Sequence, residues 1–308
     1  MADKACVFAG QGAQFVGMAK DLAAADAAIL ALFERANQVL GFDLQKVCFE
    51  GPVEDLTRSN YCQPAIFVTS VACYTAFTKR YPAVQFQLAA GLSLGEWTAL
   101  HVAGVLDFES TLRVLEARGR FMQQACEEQA GGMISIMGAT MDQLREMCDK
   151  AGIGMANINS DAQVVLSGRK EGVAEAEKLA AAAGLKCMVL NVAGAFHSPL
   201  MASARERLGA VLQEITFQAP RLPVLANVTG QVHPADGAAI RAAMLRQVTE
   251  SVRWADCVRT AMGTNVKTYV EFGPGKVLSG LIKRIDKQNT TCNVQDATSL
   301  EQAAAAAN

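Results

Sequence analysis

The chain has 308 residues, of which 51% are hydrophobic and 19% charged, a balance that supports a sizeable core and excludes a mainly disordered chain. Lys and Arg number 28 against 30 Asp and Glu, a net charge of −2, so no basic excess points to DNA or RNA. The longest apolar stretch, Ala65–Phe77, is broken by Thr69, Ser70, Tyr74 and Thr75; it reads as a buried helix, too short and too polar to span a bilayer.

Strands and helices are mixed along the chain. Lys4–Ala9 is a short apolar strand running into the glycine-rich turn Gly10-Gln11-Gly12-Ala13-Gln14. Because a strand-like run starts at once, no signal or transit peptide is visible. The expected location is the cytoplasm, or an organelle stroma or matrix if a leader has been removed. Helical patterns follow at 17–40 and 62–80. Gln85–Gly91 reads as a buried strand, Leu94–Val105 as the helix after it, and Asp107 as the N-cap of a helix reaching Ala125. The next segment has its own grammar: strand Met133–Met137, helix Asp142–Lys150, strands Gly154–Asn159 and Gln163–Ser167, helix Gly172–Ala183, strand Lys186–Asn191. That βαββαβ order is ferredoxin-like. We therefore expect a small domain over 129–195, inserted in a larger one made of 1–128 and 196–308, with Gly131-Gly132 and Ala193-Gly194 as hinges. Helices near 199–215, 236–249 and 254–263, a strand at Val266–Glu271, a helix at 276–287 and a frayed tail, Ala303–Ala307, complete the chain.

The strongest local signal is Gly91-Leu92-Ser93-Leu94-Gly95-Glu96, with a strand before it and a helix after it. That is the setting of a G-x-S-x-G nucleophile elbow, in which small flanking residues let a strand turn sharply and expose the serine at a helix N-terminus. The N–H of Leu94 can then point at an oxyanion. The plain alternative is a glycine-rich turn holding a chance serine. A serine needs a base, and the chain has three histidines. His101 lies eight residues after Ser93 on the same helix, pointing away from its tip, and His233 sits in a turn-like, surface-type segment. His197 falls where the inserted domain returns to the larger one, just before a helix, and clefts between domains are where sites are expected. It is the candidate base, the alternative being a histidine that caps or packs a loop.

Gln11 lies in the first glycine turn, which lacks the residues of a phosphate loop; its N–H is a second candidate oxyanion donor, or the turn is merely structural. Gln63 precedes Pro64, which fits a first helical position, so Gln63 also reads as an N-terminal cap. Leu115, Arg118, Met122 and Ala125 share one helix face, which puts Arg118 on an apolar surface. A buried guanidinium needs an anion: internal, with Glu96 the obvious candidate, or a substrate carboxylate. Glu271-Phe272-Gly273-Pro274-Gly275 reads as a structural turn. Nine scattered cysteines without a CxxC pair read as reduced thiols, and no Cys/His spacing suggests a metal.

Taken together, these motifs resemble the malonyl-CoA:acyl carrier protein transacylases of fatty acid synthesis and the acyltransferase domains of polyketide synthases. The resemblance rests on the glycine turn, Gln63-Pro64-Ala65, the serine motif and Arg118-Gly119-Arg120-Phe121-Met122-Gln123. It continues through Ala156-Asn157-Ile158-Asn159-Ser160, Gln163, Ala195-Phe196-His197-Ser198 and Glu271–Leu278, nearly the whole chain. It implies an α/β-hydrolase-like large domain with an inserted ferredoxin-like domain, and a two-step transfer. Ser93 would be the nucleophile that becomes acylated and His197 its base, in a dyad whose imidazole is oriented by a backbone carbonyl near Gln247. Gln11 and Leu94 would be oxyanion donors, Arg118 the clamp on the malonyl carboxylate, Gln63 a helper, and Phe196 a residue that crowds an α-methyl branch. The implied substrates are malonyl-CoA and acyl carrier protein. No permanently bound cofactor, metal, nucleic acid or membrane is expected, and a monomer is the expected state. Two departures stand out: Leu92 where many members have His, and Trp97 where a smaller aromatic is common, which narrows the expected pocket rim. The rival readings are an esterase, which needs an acid to orient its histidine and no buried Arg118, and a non-catalytic scaffold that docks a carrier protein.

Overall fold

A computed structural model describes residues 3–303; the expected frayed tail lies outside them except for Ala303, which is buried. The strands are β1 Lys4–Phe8, β2 Leu88–Gly91, β3 Gly131–Met137, β4 Gly154–Ser160, β5 Gln163–Arg169, β6 Lys186–Val189, β7 Thr268–Phe272 and β8 Thr290–Val294. They form a parallel sheet of order β2-β1-β7-β8 and an antiparallel sheet of order β4-β5-β3-β6.

The parallel sheet positions the site. β1 is its apolar inner strand, buried as continuous hydrophobic runs in such sheets are. Phe8 at its end registers with Gly91 on one side and Phe272 on the other, so the loops after β1, β2 and β7 leave the same edge side by side. In open parallel sheets that carboxyl edge is where ligands bind. The helix Ser59–Arg80 packs against the helix Phe108–Glu128, and the contact is tight because Gly119 has no side chain: a Cβ there would stand 2.2 Å from the Ser59 carbonyl oxygen.

The antiparallel sheet carries the helices Met141–Ala151 and Lys170–Ala182 in βαββαβ order and has its own apolar core, including Ile134, Leu144, Val164, Leu166 and Val173. Thr140 and Gln143 form a reciprocal cap that starts the first of these helices. The sheet is joined to the rest through the backbone: Val252 donates to Ala156 O at 2.8 Å, and Ile158 donates to Val252 O at 2.9 Å. Gly131 and Gly194 serve close packing here, since a Cβ on either would collide with Ala195 or Cys126.

Several expectations are adjusted. The helical pattern over 17–40 is two helices, Lys20–Ala25 and Ala27–Leu40, because Asp26 is extended and caps the second through Ala28 N–H. Pro64 is not at a first helical position; the helix starts at Ser59 and runs through it. The helices Leu44–Glu50, Val53–Thr57 and Ala297–Gln302 and the edge strand β8 carry no clear apolar period and were not expected.

The elbow itself is built by contact. A Cβ on Gly91 would lie 2.0 Å from the Gly95 carbonyl carbon, and one on Gly95 would lie 2.1 Å from the Phe8 carbonyl oxygen. Both neighbours are backbone and cannot step aside. Gly95→Ala is therefore expected to cost about 1–3 kcal/mol of stability, read as a lowered Tm in thermal melts; an unchanged Tm would mean that β1 and the serine helix are not held this closely.

Candidate active site

Ser93 stands between β2 and the helix Leu94–Val102 with φ 54° and ψ −98°, a region that costs a non-glycine residue about 1–3 kcal/mol. The surroundings hold it there. Its N–H donates to Asn227 Oδ1 at 2.6 Å, and its carbonyl accepts from Gln247 Nε2 at 3.0 Å and from Glu96 N–H at 3.2 Å. Asn227 Nδ2 in turn donates to Gly91 O at 2.8 Å. Gly95 N–H bonds Leu92 O, which leaves Leu94 N–H as the amide of this turn without an acceptor among the described residues.

His197 comes from the loop after the antiparallel sheet and is itself left-handed, with φ 55°. Its Nε2 lies 2.8 Å from Ser93 Oγ and its Nδ1 2.7 Å from the main-chain oxygen of Gln247. A carbonyl can only accept, so Nδ1 carries the proton in the neutral ring and Nε2 turns its lone pair to the serine hydroxyl. Burial first, then the Arg118 charge, pull the imidazole down to about 4, with the Gln247 carbonyl opposing.

This has two pH consequences. The folded ring stays neutral while the unfolded one protonates near 6.5. Its contribution to stability is therefore present above that value and lost as pH falls from 6.5 towards 4. The free-enzyme kcat/KM for acylation is expected to stay flat through pH 6 and to fall only well below it. A limb centred on 6.5 in a pH–rate profile would show an ordinary, solvated histidine instead.

Arg118 is 1% exposed and reaches the same point from the helix Phe108–Glu128. Nη1 donates to Gln63 Oε1 at 2.8 Å; Nη2 donates to Ser93 Oγ at 3.0 Å and to Gln247 Oε1 at 3.1 Å. Burial lowers it to about 10, opposed by Glu96, so it is still a cation at neutral pH. No carboxylate pairs with it among the described residues. The internal candidate is engaged elsewhere: Glu96 Oε1 accepts from His233 Nε2 at 2.7 Å, and Oε2 accepts from Gln247 Nε2 and from Asn227 N–H. His233 is therefore not at the surface; it is 4% exposed, because the turn at Gly230 folds back and His233 N–H bonds Val224 O.

The structure brings Ser93, His197, Arg118, Gln63 and Gln247 into one hydrogen-bonded group. Gln11, in the turn that follows β1, joins through Gln63 Nε2, 3.4 Å from its Oε1, and donates from Nε2 to Ser59 Oγ at 3.1 Å. Gln63 is a buried helix residue rather than a cap. Phe196 is buried just before His197. His101 is far from the group in its contacts, lying edge-on to Phe67 and bonded to Leu106 O. Trp97 is fully buried beside Phe217 and does not form a pocket rim, since its helix face points into the core. Glu271 accepts from Leu278 and Ser279 N–H and so caps the helix Val277–Ile285, in line with a structural turn. Asn227 was missed; an asparagine inside the apolar run Val224–Val228 was its one available signal. A cleft of about 370 Å3 opens beside His197, lined also by Met155, Val228, Thr249, Ser251 and Arg253.

A serine held this way forms and gives up esters, and the fold and dyad together define an acyl-transferring enzyme. The chain belongs to the acyl transferase domain family, whose model matches residues 5–304. It is 38% identical over 300 residues to the malonyl CoA-acyl carrier protein transacylase of Haemophilus influenzae, covering 96% of each protein. Among solved structures, the transacylase of the same name from Clostridium perfringens superposes with a TM-score of 0.95 at 34% identity, covering 99% of this chain and 97% of that one. A malonyl-transacylase solved in complex with a type II polyketide-synthase acyl carrier protein superposes at 0.93 with 38% identity, covering 97% and 98%.

Proposed function

We propose that the protein moves a malonyl group from malonyl-CoA to the phosphopantetheine thiol of acyl carrier protein, through a malonyl ester on Ser93, in fatty acid or polyketide synthesis. The observation that carries this reading is the Arg118 guanidinium. It is buried, has no carboxylate partner among the described residues, and sits 3.0 Å from the Oγ that also meets the histidine. An acyl group on that oxygen with a carboxylate two carbons from its carbonyl fits the short span to Arg118, by a charge-assisted, bidentate contact.

His197 Nε2 takes the Ser93 proton as Oγ attacks the thioester carbon. The Leu94 and Gln11 amides receive the developing oxyanion. The tetrahedral species expels the CoA thiolate, which takes the proton from His197, and the malonyl ester remains. The carrier thiol then gives its proton to His197 and attacks the ester, and Ser93 leaves with that proton. Gln247 O orients the imidazole throughout, Gln63 holds Arg118, and Phe196 disfavours a branch at the α-carbon.

The parallel-sheet part is α/β-hydrolase-like, from 1–128 and 196–308, and 129–195 is an inserted ferredoxin-like subdomain; the strand order β4-β5-β3-β6 and its separate core support this. The enzyme works as a monomer in the cytoplasm or an organelle interior, with CoA thioester as substrate and no resident cofactor. The test is incubation with malonyl-CoA followed by intact mass. A stable malonyl adduct that acyl carrier protein discharges is expected. Rapid release of free malonate means a hydrolase, and no adduct with no CoA release means a scaffold.

A further inference from the structure

Behind the dyad lies a pair that the transfer chemistry does not use. Glu96 and His233 are both buried, at 1% and 4% exposure, and the carboxylate has no Lys or Arg partner among the described residues. Three donors converge on it instead: His233 Nε2–H, Gln247 Nε2–H and Asn227 N–H. Two of these donors belong to residues that shape the site. Gln247 supplies the main-chain acceptor for His197, presents Oε1 to Arg118, and donates to Ser93 O. Asn227 accepts from Ser93 N–H and donates to Gly91 O, pinning both ends of the strained turn.

We propose that Glu96 and His233 form a positioning pair that sets the catalytic geometry through Gln247 and Asn227. The carboxylate decides which way round the Gln247 amide sits. Only with Nε2 towards Glu96 is Oε1 free for Arg118 and the residue held where its backbone oxygen meets His197. His233 fixes the carboxylate by occupying Oε1, which leaves Oε2 to the other two donors. An amide in place of the carboxylate has one oxygen, so at least one of the three donors would face an NH2 group.

This inference rests on Ser93 acylation as proposed above, so malonyl adduct formation in the wild type is checked first; its absence overturns that reading and not this one. Given the adduct, His233→Phe keeps the ring volume and removes the donor. Displacements on the order of 1 Å at a reacting group cost about 10²-fold, so kcat is expected to fall roughly 10–100-fold. KM for malonyl-CoA should stay within about threefold, since Arg118 keeps Gln63 as a partner. Glu96→Gln should behave alike. His233→Gln, whose amide can donate to the same oxygen, should recover most of the rate. A kcat within twofold of wild type in His233→Phe overturns the proposal, as does a His233→Gln no faster than His233→Phe. If the variants do not fold, the wild type decides: in 15N-histidine spectra, forming the Ser93 adduct should shift the rings of His197 and His233 and leave His101 unmoved. A His233 signal indifferent to acylation removes the coupling.

Discussion

Ser93→Ala is expected to give a folded protein that takes up no malonyl group from malonyl-CoA and transfers none to acyl carrier protein. The side chain lost is one methylene-bound hydroxyl, while the interactions that hold the turn run through the Ser93 backbone to Asn227, Gln247 and Glu96 and survive the change. The melting temperature should therefore move little. Cys62, the cysteine next to Gln63, is not a substitute nucleophile: burial raises it to about 12, so at neutral pH it is not a thiolate. Intact mass after incubation with malonyl-CoA reads the result directly. An adduct of malonyl mass on the variant, mapped to any other residue, would displace Ser93 as the acylated group.

Arg118→Ala should change which acyl group is carried. Removing a buried cation relieves its desolvation and leaves Gln63 Oε1 and Gln247 Oε1 without their donor. It also removes the group that a malonyl carboxylate needs. Truncating one partner of a buried, charge-assisted contact costs about 2–5 kcal/mol, more than the ~1–3 kcal/mol that a pocket gains by resisting one methyl group. Malonyl transfer should fall by about 10²-fold or more, while acetyl transfer holds or rises. The smaller preference against methylmalonyl-CoA, attributed to Phe196, should persist. The same variant should raise the His197 pKa, since the Arg118 charge is one of the two causes that lower it. Measured kcat/KM for the three thioesters across pH tests both effects. A variant that keeps its malonyl preference would make Arg118 a structural residue and place the clamp elsewhere.

Much of this arrangement is legible in the residues alone. The strand before Ser93 and its two glycines announce the elbow, because only a residue without a side chain fits against backbone at 2.0–2.1 Å. Arg118 is visible as a charge on an apolar helix face. The βαββαβ order of 131–189 follows from short apolar runs alternating with two helical patterns, the second of them rich in Ala, Glu and Lys. Other parts leave no such trace. Thr290–Val294 is a half-exposed edge strand whose polar residues carry no period. Gly230, Gln231 and Pro234 look like a surface turn, and only the tertiary fold, bonding His233 N–H to Val224 O, carries His233 inside. Whether Arg118 faces Glu96 or a ligand depends on where Glu96 points, which three competing donors decide. The His197 acceptor is a main-chain oxygen, so no residue type encodes it; the resemblance to a family, and not the residues, suggested the neighbourhood of Gln247.

That acceptor has a consequence for any genetic dissection of the enzyme. Every amino acid brings a carbonyl, so replacing the side chain at 247 leaves an oxygen available to His197 Nδ1. A scan that deletes side chains one at a time will register the serine and the histidine, but at 247 it will read the loss of the amide's bonds to Glu96, Arg118 and Ser93 O and not the loss of the atom that meets the imidazole. Its position can drift only if the chain around it moves. Selection on this atom therefore falls on whatever fixes the backbone around it: the Gln247 amide through its bonds to Glu96 and Ser93 O, and the path from 247 to 252, where Val252 is stitched to Ala156 and Ile158.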